Sequence, residues 1–165
     1  MKVHIVGLDR HNLHDASRLL LLYRQMDPMD DSAQSQSIEA LERLLSFPNA
    51  SCLLARTDDG YVGFLSYSWG FSTSKGLPIF HIQALFTAPE HRRQGVAQAL
   101  LKRAAAIAEA HGAHRMQLET DLDNDAARSL YSKFGFEWIS PKIVYMYPMQ
   151  QWHRLAAPAE GKTYD

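Results

Sequence analysis

A chain of 165 residues can bury roughly 70% of its unfolded surface around one core, which predicts a single domain. Hydrophobic residues make up 46% and charged residues 21%, a balance that excludes a disordered or fibrous chain. The formal net charge of -1 provides no global field to draw nucleic acid or an anionic membrane, so neither is expected as a partner.

Cys52 is the sole cysteine, so no intrachain disulfide can form and a cysteine-based zinc site is excluded. Its apolar, strand-like flanks from Ala50 to Ala55 mark it as a buried structural thiol. The N-terminal MKVHIVGLDR lacks the apolar core of a signal peptide, and Leu19 to Tyr23 is far shorter than the ~20 apolar residues that span a bilayer. A cytoplasmic location is the expectation.

Val3, Ile5 and Gly7 alternate as a first strand would. Asp9 to Asn12 supply turn and capping chemistry for a helix through about Gln25, with Leu13, Ala16, Leu19, Leu20 and Tyr23 as its apolar face. Asp27-Pro28 stops it, and the polar stretch Met29 to Gln36 reads as a mobile connection to a short helix, Ile38 to Leu45. Three apolar runs follow at hairpin spacing: Ser51 to Thr57, Tyr61 to Trp69 and Ile79 to Thr87. Asp58-Asp59-Gly60 is the first turn and Gly70 to Pro78 a longer loop. A helix from Gly95 to about His111 keeps the 3.6-residue period and ends at Gly112. Arg115 to Thr120 reads as a strand, Asp125 to Phe134 as a helix, and Phe136 to Ile139 and Ile143 to Tyr147 as two closing strands. The domain is expected to end near residue 149, with 150–165 a weakly ordered tail.

With no internal repeat or linker, the order β-α-α-β-β-β-α-β-α-β-β predicts an α/β fold, one mixed sheet with helices packed on it. The strand ending near Thr87 and the strand from Arg115 are joined by a helix, so they should run parallel. That places the intervening loop at the strand's C-terminal edge, where mixed sheets favour ligands.

The loop is the chemically distinctive part of the chain. In Ala84 to Ala97, ALFTAPEHRRQGVA, an extended segment delivers Arg92, Arg93, Gln94 and Gly95 to the start of a helix. Backbone amides at such a helix start, beside basic side chains, are suited to holding phosphate oxygens. Neither Gly-x-Gly-x-x-Gly nor Gly-x-x-x-x-Gly-Lys-Ser/Thr occurs.

Arg92-x-x-Gly95-x-Ala97 resembles the Arg/Gln-x-x-Gly-x-Gly/Ala signature of the GCN5-related N-acetyltransferase (GNAT) superfamily, and Leu85-Phe86-Thr87-x-Pro89-Glu90 resembles its usual lead-in. Downstream, Asn124, Ala126, Ala127, Leu130, Tyr131, Gly135 and Phe136 are similar to that family's Asn-x-x-Ala-x-x-x-Tyr-x-x-x-Gly-Phe segment. The resemblance spans about residues 1 to 149 in element order, with its specificity concentrated in 79 to 138.

The resemblance implies acetyl-CoA as cosubstrate; no metal is expected, because neither His-x-x-His pair, His11 with His14 or His111 with His114, is completed by a carboxylate or cysteine. The resemblance puts the cofactor against Leu85, Phe86, Thr87, Arg92, Arg93, Gln94, Gly95, Val96, Ala97, Gln98, Asn124, Ala127 and Tyr131. Central strands splayed at a bulge would let the pantetheine arm pair with backbone near Leu85 to Thr87, and an amide there would polarise the acetyl carbonyl. Tyr131, two helical turns after Asn124, matches the family tyrosine that protonates the departing thiolate; the alternative is an aromatic packing residue. Asn124 is equally placed to be a helix N-cap.

An alkylammonium acceptor must lose a proton before attack. Polyamine-type members carry a glutamate where this chain has Gln83, which cannot take that proton. His81 and Glu119 are the candidate replacements, acting directly or through water; a core histidine and a solvent-facing carboxylate are the alternatives. Acceptor recognition falls to segments that vary within the fold. Asp27, Asp30 and Asp31 either attract a cationic amine or form a solvated loop, and Tyr67, Trp69, Phe71, Phe80, Trp138 and Tyr145 either wall a pocket or serve as core or dimer surface.

The implied activity is direct acetyl transfer in a ternary complex to a primary amine of a small molecule, such as an amino acid, polyamine or aminosugar. Peptide or protein N-acetylation is the enzymatic alternative, and a non-catalytic CoA-binding sensor, suggested by Gln83, is the other. Members of this family often dimerise, so a homodimer is admitted.

Overall fold

A computed structural model describes residues 1–139 and 142–156. The elements run β1 (His4–Gly7), α1 (Leu13–Tyr23), α2 (Asp31–Ser46), β2 (Ala50–Thr57), β3 (Gly60–Ser72), β4 (Leu77–Thr87), a 3-10 turn (Pro89–His91), α3 (Val96–Ala110), β5 (Arg115–Gln117), α4 (Asp125–Phe134) and α5 (Met149–Ala156). The mixed α/β class is as expected. The strands stand in the order β1-β2-β3-β4-β5, antiparallel except that β4 and β5, joined through α3, pair in parallel.

The sheet carries helices on both faces because its inner strands are apolar on both. Leu13, Ala16 and Leu19 of α1 and Leu41 of α2 cluster with Cys52, Leu54 and Phe64. Residues one step along, on the opposite face, meet α3, whose Val96, Leu100, Leu101, Ala104 and Ala108 are buried. Each fully buried leucine there contributes about 1.5–3 kcal/mol relative to exposure. Gly63 of β3 fixes how near α3 can come: a Cβ on it would lie 2.6 Å from the Phe86 carbonyl oxygen and 3.1 Å from Val96 Cγ1.

Four sequence expectations are corrected. The stretch Met29 to Gln36 is mostly helix, because Asp30 caps α2 by accepting from the Ser32 and Ala33 amides at 2.9 and 3.2 Å. Its buried face is small and polar, Ala33 and Ser37 before Leu41, with the Ser37 hydroxyl donating to the Ser17 carbonyl at 3.2 Å. The expected loop Gly70 to Pro78 is instead the end of a hairpin, since β3 and β4 stay paired to Ser72↔Leu77. β5 stops at Gln117 rather than Thr120. The closing strands Phe136 to Ile139 and Ile143 to Tyr147 are not formed: a strand exists only through its ladder, and among the described residues these segments have none.

Two compact units divide the chain, Met1–Leu130 and a second beginning at Tyr131. Within the second, α4 ends at Gly135, whose φ is +118°, and the Phe136 amide returns to the Tyr131 carbonyl at 2.9 Å. The Phe136 ring lies 5.7 Å from those of Tyr131 and Phe134. No described helix is long and apolar enough to cross a membrane.

Gly63→Ala should lower stability by about 1–3 kcal/mol, because the crowded partner is backbone that cannot rotate away. Gly7→Ala, with nothing within 4 Å of the added Cβ, is the matched control. Thermal unfolding of both checks this: a fall of several degrees for Gly63→Ala and little change for Gly7→Ala are expected, and equal midpoints would contradict the close-approach reading.

Candidate active site

β4 carries the geometry on which the site is built. Its register against β3 jumps from Ser66↔Ala84 to Tyr67↔Ile82, so Gln83 is an extra residue, a β-bulge. On its other edge the parallel ladder with β5 has three pairs and ends at His81↔Gln117. β4 nevertheless continues to Thr87, with Leu85, Phe86 and Thr87 still paired to β3. The backbone groups of residues 82–87 that point away from β3 therefore have no ladder partner among the described strands, and an extended ligand can supply one.

Beyond Thr87 the chain turns sharply into α3. The Ala88 amide donates to the Val62 carbonyl at 2.8 Å, and the 3-10 turn Pro89–His91 follows. Arg93 and Gly95 both take left-handed conformations, φ +61° and +82°. For Arg93 that costs about 1–2 kcal/mol, strain of the kind stored at functional loops. Arg92 Nε donates to the Thr87 carbonyl at 3.2 Å, and its guanidinium sits 6.0 Å from the Phe86 ring centroid. Gln94 Nε2 donates to the Glu90 carbonyl at 3.3 Å.

The start of α3 fits a pyrophosphate. Gly95 is its N-cap, no side chain caps it, and its first turn holds no acidic residue. The amides of Val96, Ala97 and Gln98 thus meet no capping oxygen, and the helix dipole adds about 0.3–1 kcal/mol for an anion at an exposed end. A Cβ on Gly95 would meet nothing within 4 Å. Glycine is needed there for its positive φ, and the space above it is open to a ligand.

Where β4 and β5 part, four polar side chains meet. His81 Nε2 lies 2.6 Å from Glu119 Oε2, and Gln83 Nε2 lies 3.1 Å from His81 Nδ1 and donates to Ser68 Oγ at 2.8 Å. An amide nitrogen only donates, so Nδ1 accepts and the Nε2–H points at the Glu119 carboxylate. His81 is therefore no core histidine: its side chain is 30% exposed and both ring nitrogens are engaged. Glu119 Oε1 is touched among the described residues only by Gln117 Nε2 at 3.5 Å, and Gln117 is held in turn by Arg115 Nε at 3.0 Å.

Asn124 caps α4, its Oδ1 accepting from the Ala127 amide at 3.2 Å, so its side chain has the capping role. Tyr131 lies two turns further along α4, its ring edge-on to Phe136. Asp27 accepts from the Met29 amide and Asp30 caps α2, so two of the three acidic residues proposed for amine attraction serve local turns. Tyr67 and Phe80 are core, buried and stacked at 4.2 Å, whereas Phe71, Trp138 and Tyr145 are exposed. Cys52 is buried as expected, and desolvation pushes its thiol up to about 12, which keeps it protonated and unreactive.

Ser68, Gly63 and the conformation of Arg93 lie outside the expected site. Ser68 reads as one more polar position in a strand, and only the register across the bulge brings it to Gln83.

The acetyltransferase (GNAT) family model matches residues 17–136. An N-alpha-acetyltransferase of Sulfurisphaera tokodaii is 30% identical over 116 residues, 66% of this chain and 70% of that protein. An aminoglycoside N(6')-acetyltransferase type 1 of Acinetobacter haemolyticus is 26% identical over 116 residues, 68% and 79% of the two chains. A solved structure of a probable acetyltransferase superposes with TM-score 0.77 at 27% identity, covering 88% of this chain and 97% of that one. A match across more than half the chain, spanning the residues of β4 and the start of α3, shows that the chain belongs to the acetyltransferase (GNAT) family and is an acetyl-CoA-dependent N-acetyltransferase.

Proposed function

We propose that the chain acetylates a primary amine of a small molecule by direct transfer, with the acceptor nitrogen approaching where β4 leaves β5. The observation that carries this is the His81–Glu119 contact at 2.6 Å across that opening, on the strand that leads into the phosphate loop. Acetyl-CoA brings the activated thioester. Arg92, Arg93 and Gln94 and the backbone of Gly95, Val96, Ala97 and Gln98 bind its pyrophosphate, and the free edge of Leu85, Phe86 and Thr87 aligns the pantetheine arm and polarises the acetyl carbonyl. Asn124 and Ala127 continue the contact at the start of α4.

Glu119 Oε1 takes the proton that the amine sheds, and His81 holds the carboxylate in place through Oε2. His81 does not itself take the proton, because neither ring nitrogen offers a lone pair to the acceptor. The missing carboxylate at Gln83 is thereby replaced from the segment that follows β5. Tyr131 protonates the departing thiolate. An aminoglycoside acetyltransferase among the relatives supports a small polar amine as acceptor. A second reading, an N-terminal peptide amine, is favoured by the N-alpha-acetyltransferase at 30% identity.

Thiol release from acetyl-CoA, measured against a panel of aminosugars, amino acids, polyamines and short peptides, tests the acceptor. Higher kcat/KM for a small amine is expected, and a clear preference for peptides would select the second reading. With the preferred acceptor, Glu119→Gln should lower kcat by about 100-fold or more and Tyr131→Phe by about tenfold or more, with CoA affinity unchanged in both. An unchanged rate would remove that residue from its role. Gly95→Val should weaken CoA binding by about five- to 30-fold, since a branched side chain strains a left-handed site and fills the open space above it. Calorimetry showing wild-type affinity would contradict the pyrophosphate role of the loop.

A further inference from the structure

The phosphate loop is tethered to the β2–β3 hairpin at two points. One is backbone, the Ala88 amide on the Val62 carbonyl at 2.8 Å. The other is His91 Nε2, 3.1 Å from Asp59 Oδ2 in the turn between β2 and β3. The two partners differ in setting, His91 being 16% exposed at its side chain and Asp59 71%. His91 Nδ1 is buried with no hydrogen-bond partner, so Asp59 is the single polar tie this side chain makes among the described residues.

The turn that bears His91 has little to hold its orientation by itself. It closes with two backbone hydrogen bonds, His91 to Ala88 at 2.9 Å and Arg92 to Pro89 at a long 3.4 Å. Strain follows immediately, in the left-handed Arg93. A rotation at His91 would swing Arg92 and Arg93, which lead into the start of α3. A buried imidazole with one nitrogen unpaired packs less favourably than an apolar ring would, and what the imidazole adds is the tie to Asp59.

We propose that Asp59 and His91 form a clasp that positions the phosphate loop, so that both are positioning residues for the nucleotide half of the cofactor and neither touches the reacting atoms. The clasp rests on the reading of residues 92–98 as the pyrophosphate site. It separates the two halves of CoA: the pantetheine arm is held by β4, whose pairing with β3 does not involve His91.

The test compares binding of CoA and of pantetheine, by calorimetry, to wild type, Asp59→Ala, His91→Phe and the double variant, with Asp58→Ala as control. Asp59→Ala alters an exposed side chain, so folding is not at issue, and thermal midpoints confirm it. Each single variant should weaken CoA binding about three- to tenfold and the double variant no further, with pantetheine binding and kcat at saturating acetyl-CoA within about twofold of wild type. Asp59→Glu should restore part of the affinity. Unchanged CoA affinity in Asp59→Ala, or an equal loss for pantetheine, would overturn the clasp while leaving the pyrophosphate site standing. Wild type binding CoA no tighter than pantetheine would overturn both.

Discussion

The departure of β4 from β5 is the constraint on which the rest of the site depends. A parallel ladder of three pairs ends at His81↔Gln117, and the bulge at Gln83 bends β4 just beyond. Two consequences follow from one distortion. Backbone donors and acceptors of residues 82–87 on the edge away from β3 have no ladder partner among the described strands, which makes them available to an extended ligand. The side chains at the fork, His81, Gln83 and Glu119, come within hydrogen-bond reach of one another although they stand on two different segments.

The phosphate loop extends this arrangement and depends on it sterically. Gly63 sits beneath both Phe86 and Val96, so the end of β4 and the start of α3 are set by the same close approach. Strain in Arg93 and the uncapped first turn of α3 are tolerated because packing on the other side of the helix is dense: Leu100, Leu101 and Ala104 are fully buried. An anion bound there relieves unmet amides and not merely a surface charge.

Much of this was legible in the chain. The helix after Gly95, the parallel strands either side of it and the Asp125–Phe134 helix follow from periodicity and from glycine at the boundaries. The start of α2 was hidden because its buried face is Ala33 and Ser37, which leave no apolar period to read. The apolar run at Ile143 to Tyr147 suggested a strand because alternation reports side-chain chemistry, whereas a strand needs a partner elsewhere in the chain. Pairwise facts resisted for the same reason. Histidine 81 and Glu119 each looked like a lone candidate, and Ser68 and Asp59 like ordinary polar residues, until register and turn geometry gave them partners.

Amide hydrogen exchange with and without CoA addresses the central claim most directly, that one bulged strand and one uncapped helix start together hold the cofactor. The account predicts slowed exchange at amides within Leu85–Thr87 and within Arg93–Gln98, with the remainder of α3 already protected in the free protein. Slowing confined to other segments, with these amides unchanged at saturating CoA, would contradict it.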